Sequence, residues 1–234
     1  MIQVYPAQSR FTADHGWLKS NFSFSFAEFY DPANVQFGCM RVLNDDWVAA
    51  NKGFGAHPHR EMEIVSIVLS GELLHQDNMG HQAVTTWGGI QRMSAGTGVV
   101  HAELNPSPTE PVTFLQMWFH PETQGIDPSY EQTTFDLARL KNVLLPVVSK
   151  GSTDSEVADI HQELTIYLSE LDAGKALTFN QQAPRDKAFV FVLKGSIEVN
   201  GTVLQTRDSA RITDTPDLTF QASEDAQFML IDMV

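Results

Sequence analysis

Two stretches decide how this chain reads: Gly53-Phe54-Gly55-Ala56-His57-Pro58-His59-Arg60-Glu61-Met62-Glu63 and Ser94-Ala95-Gly96-Thr97-Gly98-Val99-Val100-His101-Ala102-Glu103. Each carries two potential metal ligands two residues apart. Side chains at i and i+2 of an extended strand share a face. His57 with His59, and His101 with Glu103, would therefore make two clamps, and on neighbouring strands they would set three imidazoles and one carboxylate around one point. That donor set suits a divalent first-row ion such as iron, nickel, copper, manganese or zinc. Pro58 fixes φ between two of the ligands and removes a ladder donor, which marks an edge or strand start.

Outward from these stretches the pattern is β throughout. Ser20 to Tyr30 alternates Phe with Ser and reads as a half-buried strand with Phe22, Phe24 and Phe26 on one face. Phe37–Leu43 and Trp47–Ala50 read as two short strands around an Asn44-Asp45-Asp46 turn. Ile64–Leu69 is a β-rich apolar run, and Glu72–Gln76 with Gln82–Trp87 a hairpin around Asp77-Asn78-Met79-Gly80. Phe114–Phe119 is a further strand, and the turn formers of residues 121–134 suggest a linker. Many short strands with glycine turns and almost no helical periodicity indicate an all-β fold, a small barrel or jelly roll.

The pattern then recurs. Val65-Ser66-Ile67-Val68-Leu69-Ser70-Gly71-Glu72-Leu73 resembles Phe189-Val190-Phe191-Val192-Leu193-Lys194-Gly195-Ser196-Ile197, a faint internal repeat. Aligning Gly71 with Gly195 sets Gln181 and Ala183 where His57 and His59 stand. Aligning Ile90–Met93 with Ser209–Ile212 sets Phe220 and Ala222 opposite His101 and Glu103. The second half keeps the strand pattern and, at these four matched positions, none of the ligands.

Composition bounds the partners. A net charge of −14 over 234 residues repels phosphate backbones, which argues against direct nucleic-acid or anionic-membrane binding. No apolar run approaches the ~20 residues of a membrane helix, and Met1–Pro6 lacks a signal-peptide pattern. The single cysteine, Cys39, fits a reducing compartment and a packing role. A cytoplasmic monomer is expected. His75 and His81 flank the hairpin turn and read as solvated, and His15, His120 and His161 as structural or surface residues.

The motifs Gly-Phe-Gly-Ala-His-Pro-His with Met62-Glu63-Ile64, and Ser94 to Asn105, closely resemble the pirin family of the cupin superfamily. Phe24-Ser25-Phe26-Ala27 with Tyr30-Asp31-Pro32, and Arg41 to Asp46, fit the same family. The resemblance implies two tandem cupin (jelly-roll) barrels, a bicupin: residues 1–130 as the metal-binding domain and 131–234 as a cupin-like domain without ligands. It implies one divalent metal, iron(II) first with nickel, copper, manganese, cobalt or zinc as alternatives, on His57, His59, His101 and Glu103. Because many cupins take their carboxylate from His-x-His-x-x-x-Glu, Glu63 stands as an alternative to Glu103, or else as an acceptor beside the ligands.

Bacterial members of this size resemble quercetin 2,3-dioxygenases, so the implied substrates are a flavonol and O2. Open metal positions would take the substrate hydroxyl, and Glu103 could act as general base. Phe22, Phe24, Phe26, Met40, Phe54 and Met93 are possible apolar walls, though aromatics at strand spacing are more often core. A regulatory or redox-sensing role without turnover is the alternative, since one family member is a nuclear transcription cofactor.

Overall fold

The computed structural model describes residues 1–234. Strands are numbered in chain order. The N-terminal half forms two antiparallel sheets. The larger runs, in spatial order, β12 (Ser129–Thr134), β9 (Gly89–Ser94), β6 (Glu63–Ser70), β11 (Val112–Phe119), β4 (Met40–Val48), β3 (Leu18–Phe22) and β2 (Phe11–Asp14). The smaller runs β5 (Gly53–His59), β10 (Val99–Leu104), β7 (Leu73–Asp77) and β8 (Gln82–Thr85). A two-residue strand, β14 (Ala158–Asp159), lies in a segment that belongs with this half.

The second half repeats the plan. Its larger sheet carries β1 (Ile2–Tyr5), β20 (Ser209–Thr213), β17 (Lys187–Lys194), β22 (Ala226–Met233), β15 (Leu164–Leu171) and β13 (Leu145–Ser149) in that order. Its smaller sheet carries β16 (Ala176–Asn180), β21 (Asp217–Gln221), β18 (Ser196–Val199) and β19 (Thr202–Gln205). The expected pair of jelly rolls is the fold observed.

The repeat is visible in one glycine pair. Gly71 and Gly195 have φ of +78° and +75°, and a Cβ would fall 2.5 Å from the Pro111 carbonyl oxygen at the first and 2.4 Å from the Asp225 carbonyl oxygen at the second. Only glycine tolerates both the left-handed backbone and that approach.

The compact units are not contiguous stretches. One comprises Phe11–Thr134 with Gly151–Gln162, the other Met1–Arg10, Phe135–Lys150 and Glu163–Val234. The first ten residues join the C-terminal unit because β1 pairs with β20, Ile2 opposite Ile212 and Tyr5 opposite Ser209.

Three local readings change. Asn44-Asp45-Asp46 is no turn but the middle of β4, a nine-residue strand paired with β11 and β3. The Phe/Ser strand ends at Phe22: Ser23, Phe24 and Ser25 are all buried, and Ser25 Oγ donates to the Asp31 carbonyl and accepts from the Asp31 N–H, both at 2.8 Å, closing a loop. The last six residues of the expected linker are β12, zipped to β9 from Ser129–Ser94 to Thr134–Gly89. No helix is long and apolar enough to cross a membrane.

Candidate metal centre

His57 and His59 lie on β5, His101 and Glu103 on β10, and the two strands are hydrogen-bonded neighbours with His101 directly opposite His57. Register then slips, so that Glu103 faces Phe54. Gly53 permits this crowding: a Cβ there would lie 2.3 Å from the Glu103 carbonyl oxygen. One ligand atom from each of His57, His59 and His101 falls within 4.8 Å of the others, and the ring centroids are 4.5–4.8 Å apart. The three imidazoles that the spacing put on one face are brought together.

Their protonation is fixed from behind. His57 Nδ1 is 2.7 Å from the Gly55 carbonyl oxygen, which can only accept, so Nδ1 carries a proton, and in the neutral ring Nε2 presents the lone pair. His101 Nδ1 is 3.4 Å from His75 Nδ1, and His75 Nε2 is 3.1 Å from Asp77 Oδ2. With His75 Nε2–H donating to Asp77 Oδ2, its Nδ1 accepts from His101 Nδ1–H, and the neutral His101 ring keeps its Nε2 lone pair free. The two Nε2 atoms then face each other at 3.1 Å. Two lone pairs at that separation call for a cation between them. Burial is the main cause holding the His59 pKa down to about 4, with the charge of His57 adding to it, and likewise lowers His101 to about 2. Neutral imidazoles are the form that ligates. The donor set and its tautomers fit a divalent metal.

Glu103 stands outside the three-imidazole cluster but beside it. It is 3% exposed; Gln116 Nε2 donates to its Oε2 at 2.6 Å, and Ser66 Oγ lies 3.2 Å from Oε1 and 2.8 Å from Gln116 Oε1. Burial pushes its pKa up to about 7, against the lowering by these two hydrogen bonds. Ser66 and Gln116 belong to a row of buried polar side chains, Asn44, Gln116, Ser66 and Gln91, directly opposite one another on β4, β11, β6 and β9. Glu63 is elsewhere: its Oε2 accepts from Ser94 Oγ at 2.8 Å and from the His161 N–H at 3.2 Å. It bonds none of the three histidines.

A cavity of about 280 Å³ opens onto this group, lined by His57, His59 and Glu103 together with Phe22, Phe26, Phe54, Trp118, Leu18 and the polar Ser20, Asn44, Asp46 and Gln116. Of the proposed apolar walls, Phe22, Phe26 and Phe54 line it, while Phe24, Met40 and Met93 are core. His15 and Glu28, 3.5 Å apart and half exposed, also line it.

Two residues with a place here lie outside the two clamps. His75 is 2% exposed rather than solvated, stacked on Tyr130 with centroids 4.1 Å apart. Asp77, its side chain fully buried, accepts from His75 and from the Met79 and His81 backbone N–H groups, and pairs with His81 Nδ1. His75-x-Asp77 has the same i, i+2 spacing as the clamps, and that was the available signal. Of the other histidines, His81 is largely exposed as expected; Cys39 is buried.

The chain resembles known proteins along its whole length. The pirin family model matches residues 4–119, and a quercetinase C-terminal cupin domain model matches residues 146–233. The chain is 39% identical over 233 residues to quercetin 2,3-dioxygenase of Escherichia coli strain K12, covering 100% of this chain and 99% of the relative. It is 38% identical to a pirin-like protein of Caulobacter vibrioides, covering 99% of each. The crystal structure of the bacterial pirin YhhW from Escherichia coli in complex with nickel(II) superposes with a TM-score of 0.93 at 38% identity, covering 100% of this chain and 99% of that one. A jelly-roll pair whose first unit gathers three imidazoles beside a buried carboxyl, with relatives of this similarity along its whole length, belongs to the pirin family.

Proposed function

We propose that the chain is a metal-dependent dioxygenase of flavonols such as quercetin, of the 2,3-dioxygenase type, with His57, His59, His101 and Glu103 holding one divalent ion. Iron(II) is the first choice; nickel, copper, manganese, cobalt and zinc suit the same donors. The chemistry is assigned to the N-terminal domain, with the C-terminal cupin as its metal-free companion. The observation that carries this reading is that Glu103, a buried carboxyl, lines the same aromatic-walled cavity as His57 and His59.

Bound there, the metal would act as a Lewis acid toward the substrate hydroxyl and as a template for O2. The protein's own residues supply the rest. Phe22, Phe26, Phe54 and Trp118 give flat apolar walls that orient an aromatic ring and exclude water. Glu103, on loosening from the ion, would receive the hydroxyl proton at a carboxylate oxygen. Gln116 and Ser66 keep the carboxyl oriented during that exchange.

The test is oxygen uptake and carbon monoxide release with quercetin after loading each metal in turn. Turnover is expected with at least one of them and a loss of at least 100-fold in His57→Ala, together with loss of bound metal. Absence of turnover with every metal would sink the enzymatic reading.

A further inference from the structure

The flavonol reading leaves one buried acid without a task. Asp46 lies on β4, 4% exposed, in the wall of the histidine cavity. Its carboxyl takes a single hydrogen bond, from Ser20 Oγ to Oδ1. The other buried carboxyls of this unit are better provided for: Asp77 binds two imidazoles and two backbone N–H groups, Glu63 a hydroxyl and a backbone N–H, and Glu103 the Gln116 amide and the Ser66 hydroxyl. No lysine or arginine pairs with Asp46, and its neighbours across the sheet are Ser20 and Phe114. Burying a carboxyl so sparsely bonded is unfavourable, and strand packing does not require it. Burial raises its pKa to about 7, the Ser20 hydrogen bond lowers it, and the charges of Asp45 and Glu103 raise it further. Carboxyls perturbed in this way and facing a cavity concentrate at functional sites.

We propose that Asp46 is a substrate-contacting, specificity-determining residue that accepts a hydrogen bond from a phenolic hydroxyl other than the one engaged at the histidine cluster. The site then selects polyhydroxylated over singly hydroxylated flat aromatic substrates. The proposal rests on the flavonol reading and deepens it. Cavity size fits: about 280 Å³ lies at the small end for small-molecule sites, so a fused-ring ligand seated at His57 and His59 shares one short cavity with Asp46. Among the other titratable groups lining the cavity, His15 and Glu28 pair with each other, and Glu103 is occupied by Gln116 and Ser66. Asp46 is the remaining buried carboxyl of the lining with an oxygen free of protein partners.

The experiment compares quercetin with 3-hydroxyflavone, which keeps only the hydroxyl at the cleavage position. Two readouts are taken on wild type, Asp46→Asn and Asp46→Ala: kcat/KM of the metal-loaded protein, and affinity for the metal-free protein from quenching of tryptophan fluorescence, since Trp118 lines the cavity. The expected result is a preference for quercetin that falls about tenfold or more in Asp46→Ala, the loss of a hydrogen bond to a charged group, and by less in Asp46→Asn, which fits without a cavity. An unchanged preference, or equal loss for both flavonols, would overturn the proposal. If wild type turns over neither flavonol the dioxygenase reading fails, and the metal-free affinities still decide the role of Asp46 by the same ratio.

Discussion

The two jelly rolls set the same strands in the same order around different fillings. In the N-terminal unit, β10 and β5 carry His101 opposite His57. In the C-terminal unit, their counterparts β21 and β16 carry Phe220 opposite Leu177 and Leu218 opposite Phe179. Phe220 stacks on Phe228 with centroids 4.9 Å apart, in a core of Val190, Val192, Ala210, Ile212, Leu218 and Leu230. Where the first unit spends its interior on Asn44, Gln116, Ser66 and Gln91, the second closes it with aliphatic and aromatic side chains. The shell therefore does not depend on a metal for its fold. The polar filling in the first unit trades packing for chemistry, as expected where local rules are broken at a functional site.

The facing pair also refines the repeat read from sequence. With Phe220 at the place of His101, the residue across the ladder is Leu177, not Gln181. Gln181 lies just past β16 and donates from Nε2 to the Lys187 carbonyl at 2.8 Å and to Asp232 Oδ1 at 2.5 Å. Gap placement in the loop before β17 hides this, because glycine anchors fix one end of a strand pair and leave the other free to slide.

The comparison is tested most severely at Glu103. Glu103→Gln keeps the shape and removes the proposed base, so kcat for quercetin is expected to fall about 10²- to 10³-fold while the far-ultraviolet spectrum stays that of the wild type. A variant that retains most of its oxygen uptake would make Glu103 mere filling, as Ala222 is in the other unit. The next effect is at Asp77. Asp77→Asn weakens the chain Asp77–His75–His101, and metal affinity measured by chelator competition should drop about 10- to 100-fold. An unaltered affinity would show that His101 needs no support from behind.

The smallest effect is on stability of the metal-free protein. Glu103 has its pKa raised from 4.5 to about 7, so between those values the folded state binds more protons than the unfolded one. The stability that this carboxyl contributes is complete below pH 4.5 and is lost as pH rises through 7. Glu103→Gln lacks that loss. The melting temperature of the variant relative to wild type should therefore climb by a few degrees between pH 4.5 and 7.5 and then level off. A flat difference would mean the carboxyl titrates normally.

Much of this was legible in the residues. His57, His59, His101 and Glu103 announce themselves because a strand's period of two makes i, i+2 ligands coplanar on a face, and glycine flanks mark the turns. Asn44-Asp45-Asp46 was misread for an instructive reason. Its composition is that of a turn, yet Asn44 and Asp46 are polar because they face a cavity inside a continuous strand. His75 was misread as solvated since a histidine next to a hairpin signal is ordinarily at the surface. Its burial depends on Tyr130, fifty-five residues on, which stacks against it from a segment that reads as linker. Local propensity has no access to such partners, and functional polar residues in strands are where it fails.

The pairing of β1 with β20 constrains how the chain can be assembled or cut. Residues 2–5 find their ladder partners only after residues 209–212 exist, so the second jelly roll is the last part of a nascent polypeptide to be completed. A fragment beginning at residue 131 would leave β20 with an unsatisfied row of backbone donors and acceptors, a surface inviting association with other copies. Anyone wishing to study the second jelly roll alone must graft those first residues back on.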